Sequence, residues 1–91
     1  MVTAIVLMNI ERGMVREVAE TLAGFEGVSE VYSVAGSYDA VAVVRVPQND
    51  DLAKLVTERI SEIDAIEHTE TMLAFRSYSR HDLESMFAVG Q

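Results

Sequence analysis

The sequence predicts an α+β fold of order βαββαβ, the ferredoxin-like arrangement in which two helices cover one face of a four-stranded antiparallel sheet. Three observations predict it. Apolar residues follow the period of a strand, a helix, two strands, a helix and a strand, in that order. The stretch FEGVSEVYSV, residues 25–34, echoes IDAIEHTETM, residues 63–72: apolar, acid, small, branched apolar, then alternation. And 91 residues make one small domain.

Residues 3–10, TAIVLMNI, are an apolar run that reads as a strand buried on both faces. Val15, Val18, Ala19 and Leu22 recur at helical spacing, with Arg16, Glu17 and Glu20 opposite. Gly24 or Gly27 ends this helix. Residues 28–35, VSEVYSVA, are the second strand and residues 39–46, DAVAVVRV, the third. Pro47 cannot donate to a ladder and closes it. Asn49 or Asp50 caps the second helix, whose positive end suits Asp50 and Asp51. Leu52, Leu55, Val56, Ile60 and Ile63 form its inner stripe, and Lys54 with Glu58 forms an i,i+4 pair. Residues 66–78 read as a long fourth strand. The domain is thus placed at 1–78, with residues 79–91 as a tail carrying a short amphipathic turn.

The face without helices is apolar too. Ile5 and Leu7 lie opposite Val6 and Met8, and Val41 and Val43 opposite Ala42 and Val44. A solvated face would read polar. Small size with 49% hydrophobic residues points the same way. A second sheet from another copy is the economical cover, so sheet-to-sheet dimerisation into a dimeric α/β barrel is predicted.

Acids outnumber bases 15 to 7, for a formal charge of -8. No Lys/Arg cluster offsets this, so direct binding to DNA, RNA or anionic lipid is not expected. Met1-Val2-Thr3 opens no basic leader. No apolar run approaches the ~20 residues needed to span a bilayer. Cysteine is absent, which removes disulfides, thiolate metal sites and a cysteine nucleophile. A soluble cytoplasmic protein without cofactor is expected.

The segment VYSVAGSYDAVAVVRV, residues 31–46, carries the most specific signal. Its turn, Gly36-Ser37-Tyr38-Asp39, places a tyrosine and an acid at the mouth of a buried strand. The pattern V-x-G-x-Y-D, small apolar alternation and then R-V-P resembles the ligand-sensing domain of the Lrp/AsnC family, the RAM domain. EGVSEVYSVAGSYDAVAVVRVP before a capped helix and IEHTETMLAF after it agree. The resemblance covers residues 1–78. It lacks the family's helix-turn-helix domain, so a stand-alone sensor is expected.

The resemblance implies a homodimer that assembles into a larger ring, an octamer being the expected form, with a free amino acid bound between dimers. The positions lining that site map onto Tyr32, Gly36, Tyr38, Asp39, Asn49, Thr71, Met72, Leu73 and Ala74. Chemically, a zwitterion needs an acceptor for its ammonium, which Asp39 supplies. No Arg or Lys lies among these positions, so backbone N–H groups must hold the carboxylate. Glycine lets a ligand approach the backbone, and Tyr32, Met72 and Leu73 enclose a side chain. A full-length Lrp/AsnC regulator is the implied partner, through which transcription or amino acid metabolism is affected.

Each residue also has a plainer role. Asp39 accepts local N–H bonds as a turn residue. Tyr38 covers the hairpin end, Met72 and Leu73 are core residues, and Thr71 is an ordinary strand residue. His68 and His81 are too isolated to form a metal site. No nucleophile–base spacing is present, and no catalytic residue is assigned. Two other functions share the strand order. A dimeric α/β-barrel enzyme, monooxygenase- or isomerase-like, would have only His68 and Asp39 for acid–base work. An ACT-type regulatory domain also binds amino acids.

Overall fold

A computed structural model describes residues 1–80. The elements are β1 (Val2–Ile10), α1 (Val15–Ala23), β2 (Val28–Ser33), β3 (Ala40–Val46), α2 (Asn49–Lys54) and β4 (Ile66–Leu73). A π turn, Leu55–Arg59, and a 3-10 turn, Ile60–Glu62, prolong α2. The sheet order is β2-β3-β1-β4, with every neighbouring pair antiparallel. This is the ferredoxin-like fold the patterning predicted.

The core lies between the sheet and the helices. Ala4, Val6, Met8 and Ile10 alternate along β1, and Ala40, Ala42, Val44 and Val46 along β3; all are at most 5% exposed. Val18 and Leu22 of α1, Leu55 of the π turn and Ile60 of the 3-10 turn close over them. Fully burying a side chain such as Leu22 contributes about 1.5–3 kcal/mol. The alanines keep the central strands low enough for the helices to approach.

The repeated pattern has a structural counterpart. Phe25 N–H donates to Leu22 O and Val28 N–H to Phe25 O, at 3.0 and 3.2 Å. Ile63 N–H donates to Ile60 O and Ile66 N–H to Ile63 O, both at 3.1 Å. Both halves therefore turn from helix into strand the same way. Gly27 sits in the first of these turns with φ +95°, and a Cβ there would lie 2.8 Å from Val46 Cγ1. The backbone angle and the close approach both require glycine.

Several boundaries differ from the patterning. α1 ends at Gly24, not Gly27, with Gly24 N–H on Thr21 O. β2 ends at Ser33, because the chain opens at Gly36 with φ +128°. β4 ends at Leu73 instead of 78: Ala74 N–H still reaches Thr3 O at 2.9 Å and the pairing stops there, although β1 itself continues to Val2 against Val46. Gln48, not Asn49 or Asp50, caps α2, in a reciprocal capping box with Asp51. Lys54 pairs with Asp50 at 3.5 Å and not with Glu58. The widened turn that begins at Leu55 adds a residue to the helical period, so Lys54 and Glu58 no longer stack as an α-helix would place them. The tail, including His81, lies outside the described residues from 81 onward.

β1 was expected to be buried on both faces; within one chain only one face is. Ile5, Leu7, Val41 and Val43 remain half-buried on the side without helices. Two cross-strand rows run over this side, Tyr32–Val41–Leu7–Glu70 and Glu30–Val43–Ile5–Met72. Its centre is apolar, and its margins carry the polar groups of Tyr32, Glu30 and Glu70 beside the exposed Met72.

Candidate functional site

Asp39 enters β3 beside the end of β1, and its backbone is held from both sides. Its N–H donates to Met8 O at 2.8 Å, and its carbonyl accepts Val34 N–H at 3.0 Å. Its side chain does something local patterning did not anticipate: Oδ2 accepts the N–H of Ile10 at 2.8 Å. The register of β1 against β4 shifts between Asn9 and Ile10. The carboxylate thus satisfies a backbone donor at a ladder irregularity, where bulges leave one unpaired. Asn9 Nδ2 donates to Ser37 O at 2.8 Å and ties the loop to the same strand end. Among the described residues, Oδ1 of Asp39 makes no hydrogen bond.

Tyr38 reaches from this loop to the far edge strand, where its hydroxyl donates to Glu70 Oε2 at 3.0 Å. That bond to a carboxylate holds the phenol's pKa above its ordinary value, since ionisation would lose the donor. Gly36 has nothing within 4 Å of where a Cβ would stand, so its backbone angle alone calls for glycine. Tyr32 lies on the side of the sheet without helices, and its hydroxyl donates to the Glu30 carboxylate. Its pKa is raised first by that bond, while Arg45, 3.9 Å from Glu30, pulls the other way.

The remaining candidates stand elsewhere. Asn49 opens α2 after β3 has crossed the sheet, and Ala74 bonds to Thr3 at the start of β1. Strands rise about 3.3 Å per residue, so Thr3 and Asn9 at the two poles lie roughly 20 Å apart. Tyr32 and Thr71 occupy opposite edge strands. Residues 71–74 also alternate in direction. Met72, opposite Ile5, faces the side without helices; Thr71 and Leu73, opposite Val6 and Ala4, face the helix side. Met72 and Leu73 are 45% and 50% exposed, so neither is the core residue of the plainer reading.

One chain therefore gathers Gly36, Tyr38 and Asp39 at one pole, and Asn49, Met72, Leu73 and Ala74 toward the other. The Lrp/AsnC ligand binding domain model matches residues 3–83, a span that contains every one of these positions. The chain belongs to the Lrp/AsnC family. TTHA0845 from Thermus thermophilus is similar at 44% identity and a TM-score of 0.82, covering 88% of this chain and 100% of that one. An HTH-type transcriptional regulator of Pyrococcus furiosus, PF0250, is 40% identical over 60 residues, which are 66% of this chain and 40% of that protein. This Lrp/AsnC chain thus matches less than half the length of that regulator. The Neisseria meningitidis regulator NMB0573, in its complex with L-Met, has a TM-score of 0.77 at 11% identity and shows the fold alone.

Three residues of this Lrp/AsnC domain escaped the sequence reading. Glu70 and Asn9 anchor the loop that carries Tyr38, and Glu30 holds Tyr32. Glu30 was within reach of inspection, two residues from Tyr32 on the same strand face. Glu70 and Asn9 are brought in only by the tertiary register. Among the described residues no three metal-ligating side chains gather, and no helix is long and apolar enough to cross a membrane.

Proposed function

We propose that this chain is an effector-binding module that works as an assembly of copies, taking a free amino acid at a site completed by a neighbouring copy. It acts on transcription in the cytoplasm through a regulator that carries a DNA-binding domain. The separation of the candidate residues into two poles carries this reading. A small ligand cannot touch Asp39 and Ala74 of one chain, but a second copy can bring its own strand end against the hairpin. Oδ1 of the half-buried Asp39 is available to an ammonium while Oδ2 keeps Ile10 in place.

A further observation supports assembly. The half-buried row Ile5, Leu7, Val41 and Val43 presents an apolar patch of the kind that marks interfaces. An enzymatic role has less support, because the one acid proposed for it is engaged with a backbone amide.

The test combines sedimentation equilibrium with calorimetric titration of the standard amino acids. An oligomer that binds one of them, with affinity reduced about ten- to a hundredfold in Asp39→Asn, is the expected result. A folded monomer, or binding that ignores Asp39→Asn, would overturn the reading.

A further inference from the structure

A cleft of about 490 Å³ opens at the pole away from Asp39, between the start of β2, the end of β3 and the helical segment 51–59. That volume lies within the ~300–1,000 Å³ of small-molecule sites. Its apolar floor is Val46, Pro47 and Leu55, and its rim carries three acids and three bases. Half of those charges are already engaged. Arg45 pairs with Glu30, Lys54 with Asp50, and Asp51 accepts the Gln48 N–H.

The other three are not. Among the described residues, the side chains of Glu26 and Glu58 make no hydrogen bond or ion pair. Arg59 lies over the Phe25 ring, 4.4 Å from its centroid, with no carboxylate partner. The ring restrains the guanidinium, whose N–H groups remain available to a bidentate carboxylate. The π turn gives a second, independent pointer. Ile60 N–H bonds to Leu55 O, five residues back, and the widened turn contributes Leu55, Glu58 and Arg59 to the cleft. Such turns in helices concentrate at functional sites.

We propose that this cleft is a second ligand site, contained within one chain, for a basic amino acid: its carboxylate on Arg59, its α-ammonium and its side-chain cation on Glu26 and Glu58. Two free carboxylates and one free guanidinium complement a ligand with two positive groups and one negative. The formal charge of -8 favours such a ligand over an acidic one. Pro47 and the apolar floor accommodate the methylene stem. None of its lining residues is a candidate for the site between copies, although Asn49 lies two residues from Asp51, and its occupant adds to the control that the assembly exerts.

Amide-detected NMR on the deuterated full chain tests this with L-lysine, L-arginine and norleucine, which keeps the stem of lysine without its terminal ammonium. Lysine or arginine should shift the amides of Gly27, Lys54 and Arg59. Norleucine, and lysine added to Arg59→Met or Glu58→Gln, should bind there about tenfold more weakly or worse. Arg59→Lys keeps the charge but not the fork and should fall between. The Gly36 and Asp39 amides report the site between copies separately, so failure of either site is read without the other. Gly27 amides that stay still, that move equally for norleucine, or that respond unchanged in Arg59→Met would each overturn the proposal.

Discussion

The two sides of this sheet are built from the same strands and have opposite fates. Met8 and Leu7 are neighbours on β1; Met8 is fully buried under the helices, whereas Leu7 is only half-buried. On β3, Ala42 and Val43 divide in the same way. On the helix side, apolar alternation is satisfied inside one chain. On the other side the same alternation lacks a cover. Burial within a chain and burial between copies are therefore written in one strand at alternate positions, and substitutions can separate them.

The largest expected effect is on the helix side. Leu22 is 0% exposed and closes α1 onto the sheet. Leu22→Ala should cost about 2–5 kcal/mol through lost burial and the cavity left behind. Against a total of about 5–15 kcal/mol for a small domain, that should lower the urea midpoint severely. A loss under about 1 kcal/mol would mean that assembly, not this core, supplies most of the stability.

On the other side, Leu7→Glu places a charge at the centre of the half-buried row. It should leave the circular dichroism of the folded chain intact and break association, as read by sedimentation equilibrium. Unfolding of the variant would show that the two kinds of burial are inseparable. An intact oligomer would show that copies meet elsewhere.

The order of elements was legible because it depends on local periodicity. So was the apolar character of both sheet faces, since strand alternation projects directly onto faces. Other features depend on what lies across the sheet. Residues 74–78 have strand-like composition, yet the pairing with β1 stops at Ala74, beside Thr3. Asp39 reads as a turn residue, and only the register shift at Asn9 and Ile10 reveals the donor it serves. The candidate residues came as one set by resemblance. Their division between two poles becomes visible only once Ala74 is found beside Thr3 and Asp39 beside Met8. The π turn also escaped, because the apolar stripe continues through it.

Asp39 offers an intermediate effect that tests the hairpin pole. Removing its carboxylate leaves the part-buried Ile10 N–H unpaired, so Asp39→Ala should cost about 1–3 kcal/mol. Asp39→Asn retains an oxygen acceptor and should cost roughly half as much, because a neutral acceptor is weaker than a carboxylate. Hydrogen exchange at the Ile10 amide reads this directly: fast in the Ala variant, intermediate in the Asn variant. Equal protection in all three chains would mean that Oδ2 does not hold the amide in solution and is free for a ligand.

The smallest effect belongs to Tyr38, whose hydroxyl spans the sheet to Glu70. Its pKa is raised by donation to that carboxylate, as Tyr32's is by donation to Glu30. A phenol whose folded pKa lies above its unfolded value of about 10 stabilises the fold while it is neutral. That contribution is fully present below the unfolded pKa and is lost as pH rises through the folded one. Tyr32 is exposed and Tyr38 only half-buried, so the stability change is slight and the titration itself is the better readout. Ultraviolet difference titration should show phenolate forming later in the folded chain than in urea. Tyr38→Phe should remove part of that late-forming signal and should leave secondary structure unchanged. If the variant titrates with the same late component as the parent, the bond to Glu70 does not persist in solution. The loop carrying Gly36 and Asp39 would then be tied to the sheet through Asn9 and Ile10 alone, on the side of the pole where β1 ends.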